Sequence, residues 1–216
     1  MGTDAINPEV IKKRMWLDYQ YACSNPANEA LNSIHALITD LANPELDFHK
    51  FLQKAADMIH SQLFITEVTI GLKSLQDGLY RYEVMAGLPE SSWEVHKKLV
   101  YKLEDFLSSE TYKHKQISKY TRLFLAEDNP YGQGEDGTYR RDLMMQMKRH
   151  SLEDTIEGDY LDILIFGKDD ELLGWIEISG LDNGKFPDVQ TLKSVELLAS
   201  IIGVALAHPH FRSCAG

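Results

Sequence analysis

The chain has 216 residues, enough for one domain with a sizeable core plus an extension, and its 44% hydrophobic and 25% charged residues exclude chain-wide disorder. A formal net charge of −11 argues against a nucleic-acid backbone or an anionic membrane face as the main partner, so neither nucleic acid nor direct membrane contact is expected. Two cysteines, Cys23 and Cys214, are too few for a disulfide scaffold, no Cys/His spacing marks structural zinc, and neither a signal peptide nor an apolar run of roughly 18 residues is read, which makes the cytoplasm the expected compartment.

Residues 1–62 read as three helices. Asn7-Pro8-Glu9 pairs a cap with proline at the first helical position, and Ile11, Met15, Tyr19 and Ala22 follow at near-helical spacing. Asn25-Pro26 repeats the start signal before an apolar stripe of Leu31, Ile34, Leu37, Ile38 and Leu41. Asn43-Pro44 breaks that helix, and Asp47 can cap the next, whose buried face would carry Phe48, Phe51, Leu52, Ala55, Met58 and Ile59.

Strand alternation takes over at Val68, Ile70 and Leu72. Gln76-Asp77-Gly78 predicts a hairpin turn into a second strand, with Tyr80, Tyr82 and Val84 on one face and Arg81 and Glu83 on the other. Gly87-Leu88-Pro89 ends it, and Ser91 with Glu94 fits a capping box for a helix through Phe106. The stretch 107–158 is less legible: a short strand is expected around Arg122 to Ala126, a polar Gly-rich surface loop at 127–137, and a short helix near 139–151.

The last quarter is clearer. A strand at 160–166 leads through a turn at Gly167 to Asp170 into a partner strand with Leu172, Ile176 and Ile178 on one face and Leu173 and Trp175 on the other. After the turn Asp182-Asn183-Gly184, Asp188 can cap a long helix carrying Val189, Leu192, Val195, Leu198, Ala199, Ile202 and Leu206, which Pro209 stops.

This order of elements, with Leu172-Leu173-Gly174-Trp175-Ile176, Asn183-Gly184-Lys185-Phe186-Pro187 and the closing run Leu197 to Leu206, resembles the GAF domain family over about residues 46–208. Ala86-Gly87-Leu88-Pro89 and Gln116 to Tyr120 also resemble mid-domain positions of that family. The resemblance implies an α+β fold: a GAF-like antiparallel β-sheet of about five or six strands with helices on both faces and an N-terminal helical extension. Its domain plan is an extension at 1–45, a sensor domain at 46–208 and a tail at 209–216. The helices near 47–61 and 188–207 would lie on one face, and 90–158 would cover the other and enclose a pocket.

The site residues implied by that topology are Trp93, His96, Tyr120, Phe124, Tyr139, His150, Asp162 and Trp175, aromatic walls with a few polar groups. Cyclic-nucleotide-binding members carry an Asn-Lys, Phe, Asp-Glu signature. Here Asn183, Lys185 and Phe186 resemble its first part, but Gly184 splits it and Gln190-Thr191 replace the acids. Covalent bilin attachment needs a pocket cysteine, and methionine-sulfoxide reduction needs several; none lies between Cys23 and Cys214. No His pair has metal-ligand spacing.

Gly132 to Gly137 fits a GxGxxG string, but five polar residues precede it and Glu135 and Asp136 would repel a phosphate, so a surface loop is expected. Beyond it, Arg140, Arg141, Lys148 and Arg149 either clamp an anionic ligand under a closing loop or form a solvated helix face. No catalytic constellation is placed by a motif, so no enzyme activity is expected. The reading is a sensor that binds an unidentified small molecule and transmits the change through its terminal helices. Its alternative is a ligand-free dimerisation or docking module. The N-terminal stripes favour that alternative, pairing with a second copy as a homodimer, unless they cap the sheet of their own chain.

Overall fold

A computed structural model describes residues 7–23, 26–43, 45–110 and 112–207. The expected breaks at Pro44 and Pro209, the tail 209–216, His208, His210 and Cys214 lie outside them, as does the side chain of Cys23. Three helices open the chain: α1 (Pro8–Cys23), α2 (Pro26–Asp40) and α3 (Phe48–Gln62). Asp47 caps α3 by accepting from the Lys50 amide at 3.2 Å, as its position before the apolar run predicts.

Six strands follow: β1 (Val68–Lys73), β2 (Tyr80–Ala86), β3 (Lys115–Gln116), β4 (Thr121–Phe124), β5 (Tyr160–Phe166) and β6 (Leu172–Ile178). They form one antiparallel sheet in the order β2-β1-β6-β5-β4-β3. Between them lie α4 (Glu90–His96), α5 (Leu103–Leu107) and α6 (Arg141–Gln146), and α7 (Val189–Ala207) closes the chain. The α+β expectation and its six-stranded limit hold. The single helix expected from Ser91 to Phe106 is instead two short ones: α4 starts behind Pro89 without a side-chain cap, and Tyr101 leaves helical geometry to exchange backbone hydrogen bonds with Tyr80.

One sheet face carries the main core. Val68, Ile70, Leu72, Leu161, Ile163, Ile165, Ile176 and Ile178 pack there against Phe51, Leu52, Ala55 and Ile59 of α3 and Val195, Leu198, Ala199 and Ile202 of α7. Ile34 and Leu37 of α2 join the same core. Helix α7 is long and apolar enough to pass for a membrane span, with a mean hydropathy of 1.5, which corrects the expectation that no apolar stretch approaches that length. Its apolar face is spent on the sheet, and the backbones meet closely: a Cβ at Gly203 would lie 2.3 Å from the Phe166 carbonyl oxygen. Val189, placed on that face by spacing, is exposed.

The opposite face carries a second, aromatic core of Tyr80, Tyr82, Phe106, Leu164, Leu172 and Trp175. Two register shifts decide its membership, and they correct two expected strand faces. Between Ile70 and Gly71 the pairing of β1 jumps from Val84 to Tyr82, leaving Glu83 as an extra residue. Tyr80 and Tyr82 therefore join the aromatic core while Val84 joins the main one. A second shift pairs Ile165 with Gly174 and Phe166 with Leu172, so Leu172 sits beside Trp175 and Leu173 packs against the helix-side core.

Candidate functional site

The aromatic face is roofed by segments of 88–114 and 125–159, on either side of β3 and β4, and a cavity of about 310 Å³ remains between roof and sheet. Its floor is a polar row running straight across the strands. Thr69 of β1 pairs with Glu177 of β6, which pairs with Asp162 of β5, which pairs with Arg122 of β4. Each of the four lines the cavity. Such a row is costly unless each member finds a partner.

The partners are unevenly shared. Glu177 accepts from the Tyr82 hydroxyl at 2.9 Å. Arg122 turns away from the acids: its Nη1 donates to the Phe106 carbonyl at 2.5 Å and its Nε to Gln116 Oε1 at 3.4 Å. Asp162 is 7% exposed, its Oδ1 has no hydrogen-bond partner, and the Thr69 hydroxyl is likewise unsatisfied. Burial pushes the Asp162 carboxyl well above the usual range, reinforced by the charge of Glu177 and opposed by Arg122. Burial also raises Glu177, to about 7, against the pull of the Tyr82 hydrogen bond.

A third acid descends from the roof. Glu135, 5% exposed, accepts from the Tyr101 hydroxyl at 2.8 Å, the Tyr112 hydroxyl at 2.9 Å and the Gly132 amide at 2.5 Å. The expected surface loop therefore folds one of its carboxylates inward. The walls are rings: Tyr82 and Tyr101 stand edge-on to Trp175 at 4.9 and 5.6 Å between centroids, Phe124 stacks on Tyr160 at 4.3 Å, and Tyr131 stacks on Tyr139 at 4.0 Å. Trp175 lies flat over a bare backbone, since a Cβ at Gly71 would fall 2.1 Å from its ring.

Of the eight side chains placed at the pocket by topology, His96, Phe124, Tyr139, Asp162 and Trp175 line the cavity together. Buried His96 donates from Nδ1 to the Ser92 carbonyl at 2.8 Å and packs edge-on against Tyr82, and burial holds it below the ordinary histidine range. The other three are elsewhere. Trp93 packs behind the aromatic core with Lys97 over its ring. Tyr120 packs against the main core and tilts onto Phe166. His150 is exposed, and its amide donates to the Asp154 carboxylate at 2.6 Å.

Nor do the arginines beyond the Gly-rich loop form an anion clamp. Arg140 pairs with Glu157 at 2.7 Å, and Arg149 bridges Glu127 and Asp159, each at 2.7 Å, while its ring neighbour is Phe186. Arg141 and Lys148 are exposed. Glu177 and Glu135 were missed by motif reading. For Glu177 the signal was present: an acid sharing the strand face of Trp175, directly opposite an acid in the next strand.

No protein-family model matches the chain, and no curated protein does. Solved structures do. The GAF domain of an Acinetobacter phosphoenolpyruvate-protein phosphotransferase is 11% identical, with a TM-score of 0.54 over 88% of this chain and 98% of that one. The corresponding GAF domain from Coxiella burnetii is 18% identical, with a TM-score of 0.53 over 87% and 96%. A phycoerythrobilin-bound GAF domain of a cyanobacterial phytochrome is 17% identical, with a TM-score of 0.52 over 87% and 97%. With the sheet order and the roofed aromatic face already established, these matches over most of each chain show that this chain has the GAF-domain fold.

Proposed function

We propose that the chain is a non-enzymatic sensory or regulatory GAF domain that binds a small molecule in the cavity between the sheet and its roof. The observation that carries this reading is Asp162: a nearly buried side chain that lines the cavity with an oxygen unsatisfied by the protein. A protein tolerates such a group where a ligand completes it. The cavity volume is near the lower end of the roughly 300–1,000 Å³ common for small-molecule sites. The GAF domain of the cyanobacterial phytochrome, whose fold this chain shares, is described as phycoerythrobilin-bound, which lends the reading support by analogy. Occupancy would bias the roof between two arrangements, and α7, packed on β5, would feel it through the sheet. Native mass spectrometry of the protein purified from its own host tests this: a non-covalent adduct lost in Asp162→Leu supports the sensor, and an apo protein whose Trp175 signal is indifferent to a host metabolite extract overturns it.

A second reading rests on α1. Val10, Ile11, Met15, Trp16 and Leu17 are all exposed, as is Val204 of α7. We infer that a second copy of the chain covers these residues as a homodimer, compatible with the sensor role. Sedimentation of the parent and of Met15→Glu with Trp16→Glu decides it: a dimer that the double variant dissociates supports the inference, and a parent that stays monomeric at roughly micromolar concentration removes it.

A further inference from the structure

The polar atoms of the cavity share one chemical character. The Tyr101 and Tyr112 hydroxyls spend their protons on Glu135, and the Tyr82 hydroxyl spends its proton on Glu177. Tyr160 and Tyr131, on the far wall, donate to the carbonyls of Pro130 and Gly158. A hydroxyl whose proton is committed offers the cavity only lone pairs. Once ionised, Asp162 and Glu177 add further acceptors. The tyrosines around the acids therefore offer acceptors, and the uncommitted donor on the floor beside them is the Thr69 hydroxyl.

Charge points the same way. Eight carboxylates line the cavity against two guanidinium groups. Arg140 compensates Glu157 and approaches Glu67, and Arg149 compensates Asp159, all three among the eight; Arg122 donates to the Phe106 carbonyl and Gln116. Among the described residues no ion pair reaches Asp162, Glu177 or Glu135. Asp162 and Glu177 stand directly opposite each other, an arrangement that two carboxylates meet either by keeping a proton or by taking a cation between them. A metal ion does not fit that role, since no three His, Cys, Asp or Glu side chains among the described residues converge to hold one. Tyr82, Tyr101 and Trp175 line the cavity with these acids and offer apolar ring surface to the carbon body of a ligand.

We propose that the cavity takes a small organic cation, with its ammonium or guanidinium group at Asp162 and Glu177, in the field of Glu135, and its carbon body against Tyr82, Tyr101 and Trp175. This rests on the reading of the cavity as a small-molecule site and narrows that site to one ligand class. The cation supplies the donor that Asp162 Oδ1 and the Thr69 hydroxyl lack and relieves the opposition of Asp162 and Glu177. Anionic ligands meet the acids, and neutral ones leave the pair uncompensated.

The test uses the whole chain and the charged group alone, so that the unknown body of the ligand does not matter. Methylammonium and methylguanidinium are titrated against tert-butanol, a neutral body of bulk similar to methylguanidinium, and acetate. The readout is the indole N–H signal of Trp175, assigned by its loss in Trp175→Phe. The expected result is a saturable shift with at least one cation, at least about tenfold tighter than tert-butanol. Asp162→Asn and Glu177→Gln, which preserve side-chain shape, should each weaken that cation by roughly tenfold or more and leave tert-butanol unmoved. Two results overturn the proposal: no saturable shift with either cation, or tert-butanol or acetate binding as tightly as the cations. The comparison in the parent protein needs no variant to fold. A neutral or anionic adduct in the native mass spectrum would remove the cation while keeping the small-molecule reading; an absent adduct together with four inert probes would remove both.

Discussion

Asp162 and Glu177 occupy directly opposed positions on β5 and β6, and only Glu177 is held by a protein donor, the Tyr82 hydroxyl. Around them stand Thr69, Trp175, Glu135 and Arg122. Burial raises both carboxyls, Glu177 to about 7. A raised carboxyl means that the native state holds protons which the unfolded chain has already released. Stability therefore falls as pH rises from the ordinary carboxylate range through about 7, and flattens above both native values. Asp162→Asn should reduce that slope and exceed the parent by about 1–3 kcal/mol near pH 8, with little difference near pH 5. Urea unfolding at the two pH values checks it; a parent of equal stability at both contradicts it.

Gly71 is the other half of the Trp175 site. A methyl group there would meet the indole 2.1 Å away, and the ring is enclosed by Tyr82, Tyr101 and Phe106. Gly71→Ala should cost about 1–3 kcal/mol through overpacking and shift the Trp175 emission. Chemical denaturation with fluorescence detection measures both. A variant with unchanged stability and spectrum would mean that the ring yields freely.

Arg149 holds the far end of the roof. Its guanidinium reaches Asp159, Glu127 and the Asp154 carbonyl, and Asp159 also accepts from the amides of Ala126 and Ile156. The Asp159 side chain is 1% exposed, so removal of its cation strands a buried charge. Arg149→Met should cost about 3 kcal/mol. Hydrogen exchange should accelerate at the Ala126 and Ile156 amides before the central strands open. Unaltered protection there would contradict the assignment.

Glu196 gives the opposite pH sign. Burial pushes its carboxyl up, but Lys193 and the hydroxyls of Ser118 and Thr121 together bring it below the usual range. Its contribution is complete above the ordinary glutamate range and is lost as pH falls through the native value. Glu196→Gln should cost about 1–2 kcal/mol at neutral pH and progressively less in acid. Thermal unfolding of parent and variant across that range checks it; a constant difference contradicts it.

Much of the fold was legible because its signals are local. Asp47 and the apolar spacing behind it mark α3, and Asp188, which accepts from the Thr191 amide at 2.8 Å, marks α7. The faces of Tyr80, Tyr82 and Leu172 were not legible, because each depends on a register shift set by the neighbouring strand. In the site, His96, Asp162 and Trp175 follow from sheet topology, whereas Tyr120 fails by facing the helices and His150 by lying in an exposed turn. Glu135 was hidden for another reason: its neighbours are polar and its three partners lie elsewhere in the fold or behind a turn, so nothing in its local pattern separates it from a solvated loop acid.

Glu135 also ties two properties of the cavity together. The carboxylate that adds negative charge to the interior is the same one that hooks the Gly-rich loop onto Tyr101 and Tyr112. A substitution that retunes the charge unhooks the loop, and a change at either tyrosine that loosens the loop strips the acid of its donors. Selectivity and closure therefore share a single fastening, and a lineage that altered what this cavity admits would have to rebuild how it shuts at the same step.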